Sequence, residues 1–179
     1  MNIDRFSEKM LKEYAKKYDI ENYLFTVIGP KAKTRGRLVF DEFYEICMWK
    51  SVRQKNNYLK NKESVEEITQ IAFEKENELE KIKKLCELEG VGIPTASAIL
   101  TVIYPNKYAV IDIRCIQQLK LEGHAVSQYI SEKTWVDYLD IIRSLAKKYN
   151  LTPRELDKAL FALHREELNK NNHQNLYEK

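Results

Sequence analysis

Apolar side chains recur at three- and four-residue steps along most of this chain, the period of an amphipathic helix rather than of a strand. Ile3, Phe6, Met10, Tyr14 and Tyr18 mark one such stripe across residues 3 to 18. Tyr23 to Ile28 is a short β-branched and aromatic run that stops at Gly29-Pro30, which reads as a break. A second helix is predicted to begin near Phe40 or Asp41 and carries Phe43, Tyr44, Ile46, Cys47 and Trp49. It runs into Lys50, Ser51, Val52 and Arg53 and then a polar stretch to Lys62. Ser64 stands three residues before Glu67, the spacing of a capping box, and predicts another helix start. Helices follow over Glu78 to Leu88, Thr95 to Tyr104 and Asp112 to Leu121. Ser131 to Tyr149 is a long one, with Trp135, Tyr138, Leu139, Ile142 and Leu145 on one face. Thr152, Pro153 and Glu155 read as the cap and first turn of a last helix that buries Leu156, Leu160, Phe161 and Leu163. From Asn169 the chain is rich in Asn, Gln and Lys and is expected to fray. The pattern predicts one all-α domain over residues 1 to 168, with 169 to 179 as a polar tail.

Only five glycines and four prolines punctuate the chain, which favours helices. Two of those glycines fall one residue apart in Leu88-Glu89-Gly90-Val91-Gly92, between two predicted helices. Such a pair lets the backbone turn sharply and approach a partner closely. The helix that follows presents unpaired N–H groups at its start, a ready anion site. If the anion is a DNA phosphate, residues 79 to 104 form a helix-hairpin-helix element. The plainer reading is an αα-turn between core helices.

Charge changes the picture little at first. Thirty basic and 27 acidic residues leave a net charge of +3, so position rather than balance carries any nucleic-acid argument. Cys47, Cys86 and Cys115 are odd in number and far apart, with no CxxC pair and no quartet for an iron–sulfur cluster. His164 and His173 lack metal-ligand spacing, so no metal site is expected. The polar N-terminus does not read as a signal peptide, and no apolar run approaches a membrane span. A cytoplasmic, nucleoid-associated monomer is the expectation.

The run L-x-GVG-x-x-TA-x-x-IL, with an Asp twenty residues past its second glycine, resembles the helix-hairpin-helix DNA glycosylases, among them endonuclease III and the 8-oxoguanine glycosylases. The likeness is specific over about residues 82 to 121. Trp49, Lys50, Ser51 and Arg53, with the run Arg154 to Leu160, are similar to a bacterial branch related to the 8-oxoguanine glycosylases. The resemblance implies a two-lobed helical fold with a base pocket between the lobes, and a hairpin that grips duplex DNA and often holds a monovalent cation. It also implies a flipped target nucleotide and an aspartate at the Asp112 position that serves the chemistry. Two positions depart from that pattern. Pro94 stands where bifunctional members carry the lysine that forms a Schiff base, and Arg114 stands where many have His.

These residues define a candidate site. Gly90, Val91, Gly92, Ile93 and Thr95 would hold a backbone phosphate without reading sequence. Arg114 can grip a phosphate bidentately, and Arg53, with Lys55 and a basic loop over Lys31 to Arg37, would track the DNA backbone. Asp112 would offset oxocarbenium charge on the sugar, although an aspartate that opens a helix is equally at home as a cap. Trp49, Tyr44 and Phe161 would stack on the extruded base, although aromatics at helical spacing more often belong to the core. Lys50 is an alternative amine nucleophile, although a lysine there is more often solvated or bound to phosphate. The expected function is base excision by a monofunctional glycosylase. The alternatives are a non-catalytic DNA-binding module and a protein-interaction domain that keeps only the fold.

Overall fold

The computed structural model describes residues 6–16 and 23–177, with side chains described as far as Leu168. Ile3 and Tyr18 of the first predicted stripe, and the side chain of His173, lie outside those residues. Among the described residues the chain is helical, with no strand. The helices are α1 (Glu8–Lys16), α2 (Gly29–Arg35), α3 (Phe40–Lys50), α4 (Lys55–Tyr58) and α5 (Val65–Glu74). They continue with α6 (Glu78–Leu85), α7 (Ile93–Ile103), α8 (Ile113–Leu121), α9 (Glu132–Lys148) and α10 (Pro153–Tyr177).

Most starts follow the cap residues in the sequence. Asn77 accepts a hydrogen bond from the Glu80 N–H, and Ser131 accepts one from Thr134. Thr152 and Glu155 complete a reciprocal box: the Glu155 N–H donates to Thr152 Oγ1, and the Thr152 N–H donates to the Glu155 carboxylate. Ser64 does not cap α5. Its hydroxyl turns back to the Asn61 carbonyl at 3.4 Å, and its own backbone is already helical, a geometry that aims a serine side chain away from the next turn.

The break at Gly29-Pro30 and most of the loop after it, both read from the sequence, are absent. Leu24–Ile28 is a turn of π-helix, in which the Gly29 N–H reaches the Leu24 carbonyl, and it runs directly into α2. Pro30 sits in the first turn of α2. The basic segment Lys31 to Arg37 is therefore mostly helix. Gly29 is there for close approach: a Cβ at that position would lie 2.2 Å from the Val102 carbonyl oxygen of α7.

One continuous apolar core runs from Leu11 through Phe43, Ile99 and Trp135 to Leu160. The α7 helix is its axis, with every residue from Thr95 to Ile103 buried. Its small side chains Ala96, Ser97 and Ala98 let α2 and α3 pack closely against it. α10 closes the other side, covering α1, α8 and α9. No helix among the described residues is long and apolar enough to cross a membrane.

Candidate active site and nucleic-acid interface

The turn between α6 and α7 is held from outside the motif. Gly90 adopts φ +81°, a conformation that disfavours any side chain with a Cβ. A Cβ there would also come within 2.9 Å of Asn57 Cβ, so the turn is packed against α4. Asn61, just beyond α4 and buried, clamps the turn. Its Oδ1 accepts the Glu89 N–H at 2.7 Å, and its Nδ2 donates to the Glu89 carbonyl at 3.0 Å. Nothing local in the sequence marked Asn61, which sits in a polar stretch 28 residues upstream.

Beyond the turn, Gly92 caps α7 in an extended conformation and is exposed. Thr95 and Ala96 both donate their N–H to the Gly92 carbonyl, and Pro94 has no N–H. The N–H groups of Gly92 and Ile93 are left at the open end of the helix, where an anion is favoured. Val91 and Thr95 are both buried; these two anchor the turn rather than face outward.

Next to this end of α7 lies a cleft of about 740 Å³. Its walls are the end of α3 and the loop after it (Met48 to Arg53), Pro94, the segment Val110 to Cys115, and the first turns of α10. Lys50, Arg53, Arg114, Arg154 and Lys158 line it against only Asp112 and Asp157. The cleft is thus positive, which overall composition could not reveal.

Asp112 is both cap and cleft residue. Its Oδ1 accepts the Arg114 N–H at 3.0 Å, the helix-cap bond of α8. Its Oδ2 accepts from Lys50 Nζ at 3.1 Å. The pair is mostly out of water, with side chains 14% and 25% exposed for lysine and aspartate. Lys50 is therefore not a solvated surface lysine. Burial raises the Asp112 pKa, but the Lys50 ammonium, the Arg114 N–H and the Arg114 charge outweigh it, and the net shift is downward. The carboxylate is a firmly held anion and a weak base.

The segment carrying Asp112 is pinned at three points. Val110 donates its N–H to Asp157 Oδ2, and its carbonyl accepts from Tyr138 Oη at 2.9 Å. Ile111 donates its N–H to Ser97 Oγ of α7 at 3.1 Å. Asp157 is itself buried and ion-paired with the buried Arg154. Arg154 lies over the rings of Phe25 (4.9 Å) and Trp49 (5.5 Å), tying α10 to the cleft wall. The signal for Arg154 and Asp157 is in the sequence: they fall three apart on the face of α10 that also carries Leu160. A charged pair on an apolar stripe is a buried pair.

The remaining candidates divide. Trp49, Phe161, Arg53 and Arg114 all line the cleft, and the Arg114 guanidinium stacks over Phe161 at 4.8 Å. Tyr44 does not line it. It stacks on Phe40 at 5.9 Å, because five residues of helix rotate it well away from Trp49. The basic run Lys31 to Arg37 is partly neutralised within the fold, Arg35 by Glu42 and Arg37 by Glu66. Pro94 lines the same cleft as Lys50 and Asp112, so the position without an amine and the lysine that brings one share a wall. Among the described residues no three His, Cys, Asp or Glu side chains converge as a metal site. No family model, curated protein or solved structure matches the chain.

Proposed function

We propose that this protein is a DNA glycosylase of the base-excision type, binding duplex DNA through the α6–α7 hairpin and cutting the glycosidic bond of a flipped base at Asp112. The observation that carries the reading is the Lys50–Asp112 pair, half-sheltered in a positive cleft beside the open end of α7. Loss of the base leaves positive charge on the sugar, and a fixed carboxylate in a sheltered cleft offsets it. The lowered pKa of Asp112 keeps that charge in place at neutral pH. The cleft volume suits a single base with its sugar. Trp49, Phe161 and the Arg114 guanidinium supply flat surfaces for it.

Water is the nucleophile in the simplest form of this reaction, consistent with Pro94 at the family's lysine position. The 3.1 Å contact favours a second form. Lys50 brings an amine to the carboxylate from α3; as a free amine it would bond to the sugar C1′ as the C1′–N bond to the base breaks, its proton leaving with the base, and opening of the C1′–O4′ bond would then leave a Schiff base. The test is a panel of lesion-bearing duplexes, scored for abasic sites after alkali and for a covalent protein–DNA adduct under borohydride. Abasic sites without an adduct indicate water. An adduct lost in Lys50→Gln indicates the amine. DNA binding with no base release from any duplex would leave only a DNA-binding module, and the glycosylase reading would fail.

A further inference from the structure

A second cavity of about 740 Å³ lies at the far end of the same two helices. It opens between the start of α6, the residues just past α7, and the turn from α9 into α10. The hairpin is at the other end of α6 and α7, roughly 12–16 Å away at 1.5 Å per helical residue. The DNA-binding reading makes no use of this cavity.

Its floor holds Lys81, a lysine only 8% exposed. Lysine is almost never buried to this degree without a partner. Yet Lys81 makes no hydrogen bond or ion pair among the described residues; its ammonium lies 5.7 Å from the centre of the Tyr108 ring. Glu78, one turn earlier on the same helix, is shared: its Oε1 accepts from Arg143 Nη2 at 2.8 Å, while its buried Oε2 makes no hydrogen bond. Arg143 lies over the same tyrosine ring at 5.3 Å, so two cations share one ring. Lys107 and Lys147 also line the cavity without ion pairs among the described residues. Glu74 and Glu76 stand on its exposed rim, where water screens them. Burial lowers the Lys81 pKa, and the charges of Lys107 and Arg143 lower it further against the pull of Glu78.

A sheltered lysine beside Lys107 and Arg143, with the one Glu78 carboxylate between them, leaves the cavity short of negative charge, and an anion there would supply it. We infer that this cavity is a binding site for a small phosphate-bearing ligand, with Lys81 as the buried contact and Lys107 and Lys147 closing over the phosphate. The volume falls within the range of small-molecule sites and exceeds what a bare phosphate needs. Phe73, Leu151 and Pro153 offer an apolar wall for the organic part.

The experiment is thermal unfolding of the full chain in chloride buffer, titrated with inorganic phosphate and with pyrophosphate. Both should raise the Tm of the wild type with saturation. In Lys81→Met the apparent Kd should weaken by about tenfold or more, while Lys83→Met, on the exposed face of the same helix, should respond like the wild type. Without ligand, Lys81→Met should unfold at the same or a higher temperature, because methionine fills the space without the unpaired charge. A lower ligand-free Tm for Lys81→Met would show that Lys81 already has a partner and would overturn the inference. So would a wild type that gives no saturable shift, or a Lys81→Met response equal to the wild type. A final arm repeats the titration with saturating duplex DNA. Persistence of the phosphate response supports a separate small-ligand site, and its loss would assign the cavity to the DNA backbone instead. None of these readouts depends on base excision.

Discussion

Replacing Asp112 by Asn separates the two jobs this side chain performs. The amide oxygen can still accept the Arg114 N–H, and Asn caps a helix about as well as Asp, so the start of α8 should survive. What disappears is the charge facing Lys50 at 3.1 Å. The pair is neither fully exposed nor fully buried, so its loss should cost about 1–2 kcal/mol, between the values for surface and buried pairs. For a chain of this size that is a Tm decrease of about 2–8 °C. The catalytic effect should be larger. Removing one preorganised electrostatic group from a sheltered site costs about 100-fold or more in rate, or roughly 2.7 kcal/mol. Single-turnover excision on a cleaved lesion duplex, read beside thermal unfolding and DNA binding, gives the three quantities on one protein. The expected pattern is a modest Tm decrease, binding within a few-fold of wild type, and excision down by two orders of magnitude. Excision within about threefold of wild type would refute the reasoning, leaving Asp112 as a cap and a structural ion pair.

The pH dependence follows from the same pair: because the folded pKa of Asp112 is depressed, its contribution to stability is present above the ordinary aspartate range and lost as pH falls through the lower folded value. The stability difference between wild type and Asp112→Asn should therefore be constant from about pH 5 to 8 and shrink below about pH 4 in denaturant titrations. Gly92→Ala should fold normally, since its Cβ would meet nothing closer than Pro94 Cδ at 3.9 Å, yet weaken DNA binding similarly for different sequences in a filter or anisotropy assay. Gly90→Ala should instead lower stability by about 1–3 kcal/mol, from the left-handed backbone and the contact with Asn57, measured by chemical denaturation. Asn61→Ala should release the Glu89 amide, seen as a loss of hydrogen-exchange protection at that residue with about 1–3 kcal/mol of destabilisation. Arg53→Gln should weaken DNA binding and reduce the slope of log affinity against log salt by about one if Arg53 contacts a phosphate.

Sequence alone settled what depends on neighbours within a turn or two. The helical period, the caps at Asp112 and Thr152, and the glycine turn at 88–92 are all short-range, because hydrogen bonds and steric limits there reach only three or four residues. Those features defined the all-α class and the helices on either side of the turn. They also misled where a longer-range contact outweighed local preference. Gly29-Pro30 looked like a break, but the π-turn runs straight into α2, and the absence of a Cβ at Gly29 lets α2 sit on the Val102 carbonyl. Ser64 had the right spacing for a cap but the wrong backbone angles. Tyr44 had the right chemistry for a base pocket and the wrong side of α3. The site itself is tertiary. Lys50 meets Asp112 across 62 residues, Asp157 holds Val110 across 47, and Asn61 holds Glu89 across 28. Each contact is fixed by how α3 docks on α7, how α10 docks on α8 and how the segment after α4 meets the glycine turn, and no pattern along the chain encodes a docking angle. The positive cleft follows the same rule: one-dimensional composition gives a charge near balance, and only packing gathers five cations around two carboxylates.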